Sequence, residues 1–330
     1  ILYIERKLLK SRVCILDYID KKQYPIPQKL NISLLLLIFL GWCAFQYLAS
    51  HTETFWMTFA YGVGFSLLMI TCYSLLHEFA HDLLFKNNTA NYVGGAILAL
   101  TFIFPITAFK NMHQGHHLRN RTDLEMFDLY YPSDNKLFKV LCWYAILIGL
   151  WWVMIAVLTI IAIILPTICR ILLRNKPLWT NSYAFLDATK SDLFKIQLES
   201  ISVLIFQVGM FFVLDLNLIP YLILYGIHAI SWSSQNYIYH AFAPRDTLNG
   251  AHNLGMNPVL KPIYLNINHH LTHHHHPGIP WVYLPKFVES GKTSNYGKAY
   301  LQLWKGPRLT TEPAPESLDP EYEKYRSSFV

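Results

Sequence analysis

The sequence predicts an all-α integral membrane protein: a helical bundle of about four spans plus interfacial helices, with a cytosolic, histidine-rich cap. Hydrophobic residues make up 53% of the 330 residues and charged residues 15%, and the mean hydropathy is +0.26. This balance lies outside that of ordinary soluble domains. Long apolar runs also alternate along the chain with short groups of histidines. The runs predict the bundle, and the histidine groups predict the cap.

Predominantly apolar runs of about 18 or more residues are long enough to cross a bilayer as helices. Such runs cover residues 32–49, 54–76, 139–166 and 199–235. The segment 92–109 is also apolar, but Gly94, Gly95 and Pro105 interrupt it. Because it lies between two histidine groups that must meet, we expect it to be re-entrant or interfacial.

Positive charges precede the first span. They are Arg6, Lys7, Lys10, Arg12, Lys21, Lys22 and Lys29, against the acidic residues Glu5, Asp17 and Asp20. The positive-inside rule therefore predicts a cytoplasmic N-terminus. Two spans then return His77 to the cytoplasmic side, where we expect all of the histidine groups to gather.

Gathering the groups on one face requires an even number of crossings between His117 and Asn236. In one arrangement, residues 139–166 and 199–235 each cross once, although the external loop would then carry several basic residues. In the other, 139–166 is an interfacial or hairpin element, and 199–235 splits at residues 215–217 into two short spans. Both arrangements keep the histidines cytosolic.

Three segments follow from this distribution: a cytosolic N-terminal segment (1–30), a membrane domain (31–285) and a cytosolic C-terminal tail (286–330). The tail is polar, rich in Pro and Glu in part, and lacks an apolar run. We expect it to drape partly over the cap. The net charge of +6 flanks the membrane segments, where anionic lipid headgroups are the expected contact. Nucleic acid is not expected as a partner.

Most of the fifteen histidines fall into four groups with helical i, i+3 or i+4 spacing. The spaced positions are His77 and His81; His113, His116 and His117; Asn236 and His240; and His270, His273 and His274. On a helix such residues stack on one face, so each group can present its side chains to a common centre. Nine histidines and one asparagine exceed the roughly four ligands of a zinc site. The surplus predicts two ions, which makes the cap a metal cap.

Other interpretations of these histidines stay open at this point. His77 and His81 frame Glu78 in the His-Glu-x-x-His pattern of zinc proteases, in which the glutamate is the general base. A membrane protease would need only one further ligand and would leave the other groups unexplained. A metal transporter or His-rich binding protein would line a path through the bilayer, whereas these groups lie at helix ends.

The groups resemble the three histidine boxes of the membrane fatty acid desaturase and hydroxylase superfamily, HxxxH, HxxHH and (H/Q)xxHH. Here the boxes begin at His77, His113 and His270, and the third lies in the wider form N-x-N-x-H-x-x-H-H-x-x-P. The resemblance covers about residues 55–285. On this alignment His269, His275 and His276 are not primary ligands. Desaturases of the stearoyl-CoA type carry an additional N-x-x-x-H motif, whose asparagine reaches the metal through water. Asn236 and His240 are similar to this motif.

The resemblance implies two iron ions (Fe2+/Fe3+), dioxygen as co-substrate and a fatty acyl or lipid substrate from the bilayer. Desaturation is the expected reaction, with lipid hydroxylation and decarboxylation to a terminal alkene as alternatives within the superfamily. Imidazole suits iron as well as zinc and copper, and a site without thiolates suits dioxygen activation. The five cysteines lack cluster spacing, so we expect a separate electron donor of the ferredoxin or cytochrome b5 type.

Charged side chains near the boxes are candidates for supporting roles, and no catalytic residue is expected beyond the metal centre itself. Acids that would orient the imidazole N–H groups are Glu78, Asp82, Asp123, Asp128 and Asp246. Arginines that would bind an acyl headgroup are Arg119, Arg121 and Arg245.

Overall fold

A computed structural model describes residues 23–166, 188–291 and 293–319, so most of the expected N-terminal segment lies outside the described residues. The helices are α1 Gln28–Ser50, α2 Phe55–Ala80, α3 Asn88–Phe102, α4 Ile106–Arg119, α5 Lys136–Ala145, α6 Trp151–Ile164, α7 Lys190–Val213, α8 Leu218–Asn236, α9 His270–His275 and α10 Tyr296–Leu303. The strands are β1 Leu129–Tyr130, β2 Asn253–Gly255, β3 Thr293–Asn295 and β4 Arg308–Leu309, in the parallel pairs β1–β4 and β2–β3. The predicted all-α membrane bundle is confirmed.

Within the described ranges, four helical units are long and apolar enough to cross a membrane. They are α1, α2, the α5–α6 unit and α7, with a fifth if the bent pair α3–α4 counts as one span. The run at 199–235 forms two helices, α7 and α8, because the backbone breaks where Asp215 takes φ +49°. Asn217 Nδ2 donates to the Ser50 carbonyl at 2.7 Å, so this break lies beside the end of α1. The second predicted arrangement splits the run at the same place; most of the basic loop before α7 lies outside the described residues.

The α3–α4 pair enters the bundle and returns to the same end. Asn91 in α3 accepts the backbone N–H of Leu84 at 3.1 Å, directly after α2. The chain then bends by 98° between α3 and α4, and α4 brings His113 back to His81. This course agrees with the first of the two alternatives that the interrupted apolar pattern predicts, a re-entrant or an interfacial segment.

The bend leaves backbone carbonyls without helical partners, and inside a bilayer such groups must find partners in the protein. Ile103, at the bend, takes the left-handed conformation with φ +61°. The Tyr225 hydroxyl of α8 donates to the Thr101 carbonyl at 2.9 Å. Gln207 Nε2 of α7 donates to the Leu100 carbonyl at 2.6 Å. Side chains from two neighbouring helices therefore donate hydrogen bonds to the free carbonyls at the bend.

The first turn of α4 meets a carboxylate of α7. Glu199 Oε2 accepts the Thr107 backbone N–H at 2.8 Å, and Oε1 accepts the Thr107 hydroxyl at 2.6 Å. The Tyr92 hydroxyl donates to the same carboxylate at 2.7 Å. A carboxylate at a helix N-terminus satisfies free N–H groups and suits the helix dipole. Glu199 of α7 thus fixes the position of α4, the helix that carries the second histidine box.

The α5–α6 unit bends at a glycine. A π-helical turn at Ile146–Leu150 joins α5 to α6, and Gly149 takes φ +107° there. A Cβ atom at Gly149 would lie 3.0 Å from the backbone nitrogen of Ile230 in α8. Glycine therefore permits both the bend and the close approach of α8.

The described part of the C-terminal tail crosses the cap. Strand β4 pairs with β1, and the Glu312 carbonyl accepts a hydrogen bond from Arg245 at 2.5 Å. The Leu318 backbone N–H donates to the Leu118 carbonyl near the end of α4 at 2.9 Å. These contacts hold the tail across the segments that carry the histidines.

The Tyr225 hydroxyl is predicted to stabilise the bundle, because it also accepts the Trp42 indole N–H at 2.9 Å. We expect Tyr225→Phe to lower the free energy of unfolding by about 1–3 kcal/mol, since buried polar groups lose their partner. Unfolding in mixed detergent micelles measures this change. Tyr47→Phe is the control, because Tyr47 is 48% exposed on α1. Equal losses in the two variants would contradict the assignment.

Candidate metal centre

The histidine groups lie at the ends of helices on one side of the bundle. His77 lies in the last turn of α2, and His81 is the C-cap of the same helix. The last two turns of α4 carry His113, His116 and His117, α9 carries His270, His273 and His274, and His240 follows α8 by one turn. Four separate segments thus meet at one place.

One set of histidines forms cluster A, which consists of His77, His81, His113, His117 and His273. Ring nitrogens of all but His117 lie within 4.8 Å of one another. The Nε2 atoms of His81 and His113 are 2.6 Å apart. His117 Nε2 lies 3.1 Å from His113 Nε2 and 3.0 Å from His273 Nε2, so it joins the same cluster.

The other set forms cluster B, which consists of His116, His240, His270 and His274. Their ring nitrogens also lie within 4.8 Å of one another, and those of His116 and His240 approach to 3.1 Å. Asn236 lines the cavity beside this cluster. The clusters adjoin, since the ring centroids of His117 and His274 are 4.4 Å apart. The structure brings all nine predicted histidines together in two sets.

The donor set fits two cations. His77 Nε2 and His274 Nε2 are buried and have no hydrogen-bond partner in the part of the chain that the structure describes. Buried polar atoms normally have a partner, and a cation at the centre of each cluster would take these lone pairs. Ligation needs neutral imidazole. Burial, together with neighbouring histidines, lowers the pKa of His270 to about 3 and that of His273 well below its usual value.

Two acceptors fix the outer nitrogens of cluster B. His116 Nδ1 lies 2.5 Å from Glu125 Oε2, and His240 Nδ1 donates to the Gly250 carbonyl at 2.8 Å. Such contacts orient a ligand imidazole and set the nitrogen that faces the metal. Glu125 is not among the acids that the sequence predicts to support the site. Its position in a short 3-10 turn after α4 has no helical spacing to the box, and only its closeness in the chain could have suggested it.

The predicted supporting acids have diverse environments. Glu78 is buried; its Oε1 lies 4.0 Å from His77 Nδ1, and its Oε2 accepts the Trp281 backbone N–H at 3.1 Å. The other four contact different partners: Asp82 binds Lys110, Asp123 binds Arg245, Asp128 binds Arg121, and Asp246 accepts the backbone N–H groups of Leu248 and Asn249.

The predicted headgroup arginines bind other parts of the protein. Arg121 donates to Asp128 and the Ala243 carbonyl, Arg245 to Asp123 and the Glu312 carbonyl, and Arg119 to Asp319. All three side chains are buried. Their charges join the loops of the cap to one another and to the C-terminal tail.

The two-cluster geometry bears on the protease and transporter interpretations. A catalytic zinc site uses about three protein ligands, whereas here two sets of at least four imidazoles converge. Both sets lie at one end of the bundle, so the histidines of clusters A and B do not line a path through it. A cavity of about 70 Å³ reaches cluster B, with walls that include Tyr73, Phe127 and Trp151. Such a site can bind a small gas and the end of an apolar chain.

Comparison with protein families gives a match over most of the chain. Residues 54–304, more than half of the chain, match a protein-family model described as fatty acid desaturase. The matched region contains every member of clusters A and B. The comparison with curated proteins finds no match for the chain.

Glu125 is predicted to support metal binding at cluster B. We expect Glu125→Gln to lower the affinity for one of two metal equivalents by about 10–100-fold, because the amide loses the charge that favours the His116 Nδ1–H tautomer. Titration of the metal-free protein with Co2+, followed by absorbance, measures both equivalents. Asp246→Asn is the control and should leave both unchanged. Equal weakening of both equivalents, or of neither, would contradict this role.

The buried imidazoles are predicted to make the metal-free protein sensitive to acid. Burial lowers the folded-state pKa of His270 to about 3, below the value of about 6.5 in an unfolded chain. The unfolded state therefore binds more protons between these values, and stability falls as the pH decreases through this window. We expect the thermal unfolding midpoint to fall as the pH decreases below about 6.5. A midpoint that rises on acidification would contradict the pKa assignment.

Proposed function

The chain belongs to the fatty acid desaturase family, and on this premise we propose that it desaturates a fatty acyl or lipid chain with dioxygen at two iron ions. The family match supports lipid oxidation by an integral membrane protein. The observation that carries the proposal further is the pair of adjoining imidazole clusters at one end of the bundle. Two clusters without thiolates suit two dioxygen-activating ions.

The residues of the chain hold and orient the ions. Cluster A would bind one iron and cluster B the other, with Asn236 beside cluster B as a water-mediated ligand. When bound, the irons supply dioxygen activation and abstraction of hydrogen from an unactivated C–H bond. Glu125 and the Gly250 carbonyl hold two imidazoles of cluster B by their outer nitrogens, so the metal-facing nitrogens keep their direction during turnover.

The lining of the cavity beside cluster B favours an apolar substrate. Its aromatic walls exclude water from the reacting carbons, which suppresses side reactions of an oxidising site. Desaturation removes two hydrogens from adjacent carbons, and these leave as water with dioxygen, two protons and two electrons. We propose that the electrons come from a separate ferredoxin-like or cytochrome b5-like carrier. The basic segment 1–30 supports a cytoplasmic N-terminus and metal site.

Lipid analysis of expressing cells tests the reaction. We expect a new acyl product two mass units lighter than its parent, present with the wild-type chain and absent with His116→Ala, which removes a ligand from cluster B. His275→Ala is the matched control, because His275 lies in the same histidine run, contacts Asn249 and is a member of neither cluster A nor cluster B. Mass spectrometry under oxygen measures the product.

The same experiment separates the other reactions of the superfamily. A gain of sixteen mass units would identify a hydroxylase, and a volatile alkene one carbon shorter than a fatty acid would identify a decarboxylase. Either result would replace desaturation as the reaction. If the His116→Ala variant formed as much product as the wild type, the assignment of clusters A and B as the metal centre would be contradicted.

A further inference from the structure

Helix α10 lies across two helices at the end of the bundle that carries clusters A and B. In its first turn, the Tyr296 hydroxyl donates to Gln235 Oε1 in the last turn of α8 at 2.6 Å. In its last turn, the Leu303 carbonyl accepts the indole N–H of Trp143 in α5 at 2.8 Å. Contacts at both ends thus hold α10 against the bundle.

The contact with α5 sets the level of α10 relative to the bilayer. The α5–α6 unit, Lys136–Ile164, has 29 residues, more than the roughly 20 that cross the hydrocarbon core. Its charged residues, Lys136 and Lys139, both lie in the first turn, so the surplus lies in the headgroup layer at this end. Trp143 follows that turn and lies about 10 Å along the helix from Lys136. The end of α10 therefore lies near the boundary between headgroups and acyl chains.

The exposed face of α10 is divided lengthwise into an apolar row and a basic row. Leu301 is 67% exposed and Trp304 is 39% exposed, and residues three apart are neighbours on a helix. Lys298 and Lys305 are also exposed, and they flank Leu301 at three and four residues, so they form a row beside the apolar one. Helices that lie in the plane of the membrane interface show this division, and tryptophan is enriched at the same level.

The positive charge of the basic row has no acidic partner in the described part of the chain. Neither Lys298 nor Lys305 forms an ion pair there. Residues 290–311 contain no Asp or Glu, and Arg308 adds a further exposed positive charge. A phosphate group from outside the protein would complement this charge. The adjacent apolar row favours a phospholipid over a soluble anion, because a lipid supplies acyl chains beside its phosphate.

We propose that α10 is a membrane-interfacial helix in which Lys298 and Lys305 bind the phosphate groups of anionic phospholipids, while Leu301 and Trp304 insert among the acyl chains. The first part of the C-terminal tail then lies in the leaflet on the side of the metal centre, whereas the sequence predicts a wholly cytosolic tail. Lipid bound here attaches the metal cap to the bilayer surface. The inference goes beyond the proposed reaction and does not depend on it.

Photocrosslinking tests the position of the helix. The full chain carries p-benzoylphenylalanine in place of Leu301, is reconstituted in liposomes of phosphatidylcholine and phosphatidylglycerol, and is irradiated. We expect intact-protein mass spectrometry to show a lipid adduct, because the side chain at this position contacts acyl chains. The same substitution at Leu141 is the positive control, since Leu141 is 60% exposed on α5 within the apolar unit.

Gln302 supplies the matched comparison on α10 itself. It is exposed and lies on the other side of the basic row from Leu301, so p-benzoylphenylalanine at this position should give much less adduct. An adduct at position 141 without one at position 301 would place α10 in water and overturn the proposal. Equal adducts at positions 301 and 302 would overturn the orientation that directs the basic row to the headgroups.

Lipid retention tests the role of the lysines. Native mass spectrometry of the full chain, released from micelles that contain phosphatidylglycerol and phosphatidylcholine, measures the binding of each lipid. We expect the double variant Lys298→Gln and Lys305→Gln to bind phosphatidylglycerol more weakly by about 5-fold for each lysine removed. Its binding of phosphatidylcholine should be unchanged. High salt should reduce the difference between the variant and the wild type.

The control for charge is the double variant Lys298→Arg and Lys305→Arg, which keeps both positive charges and should bind phosphatidylglycerol as the wild type does. Undiminished phosphatidylglycerol binding by the glutamine variant would overturn the assignment of the lysines. Equal weakening of both lipids would show that the lysines only support the local structure, and would overturn it as well. Neither assay involves oxidation, so both are independent of the proposed reaction.

Discussion

The convergence of nine imidazoles, six buried and three half-buried, from four separate segments is the constraint on which the rest of the structure depends. Ring nitrogens that approach to 2.6 Å, as those of His81 and His113 do, stay together only if the backbone elements behind them are held firmly or a cation lies between them. Contacts within the membrane bundle hold these backbone elements in place. Glu199 fixes the start of α4, while Tyr225 and Gln207 satisfy the carbonyls at the re-entrant bend.

The cap also supports the histidines, through ion pairs between buried side chains. Arg121 and Asp128 form an ion pair at 2.6 Å in which both side chains are almost fully buried. Such a pair adds little net stability, but removal of one partner leaves an uncompensated buried charge and is strongly destabilising. The pair therefore specifies how the cap loops join. The tail extends the same network through Arg119 and Asp319.

Local patterns could predict the spans and the histidines, because both depend on residues close in the chain. Helical spacing selects the ligands, and apolar length selects the helices. The partners of Glu125 and Arg121 lie only nine and seven residues away, at His116 and Asp128, but the irregular turns after α4 that bring them together follow no helical spacing. A basic residue near a histidine box suggests a headgroup site when its partner is unknown. In the fold, Arg121 instead pairs with Asp128. Its charge alone could not show whether it binds a headgroup or another side chain of the protein.

The most direct test of the two-ion account is the dependence of activity on iron stoichiometry. Metal-free protein in detergent receives increasing Fe2+ with dioxygen, an electron donor and a lipid substrate, and product is measured against bound iron. The account predicts that activity requires two equivalents per chain, because clusters A and B each hold one ion. Full activity at one equivalent, or with zinc in place of iron, would contradict it.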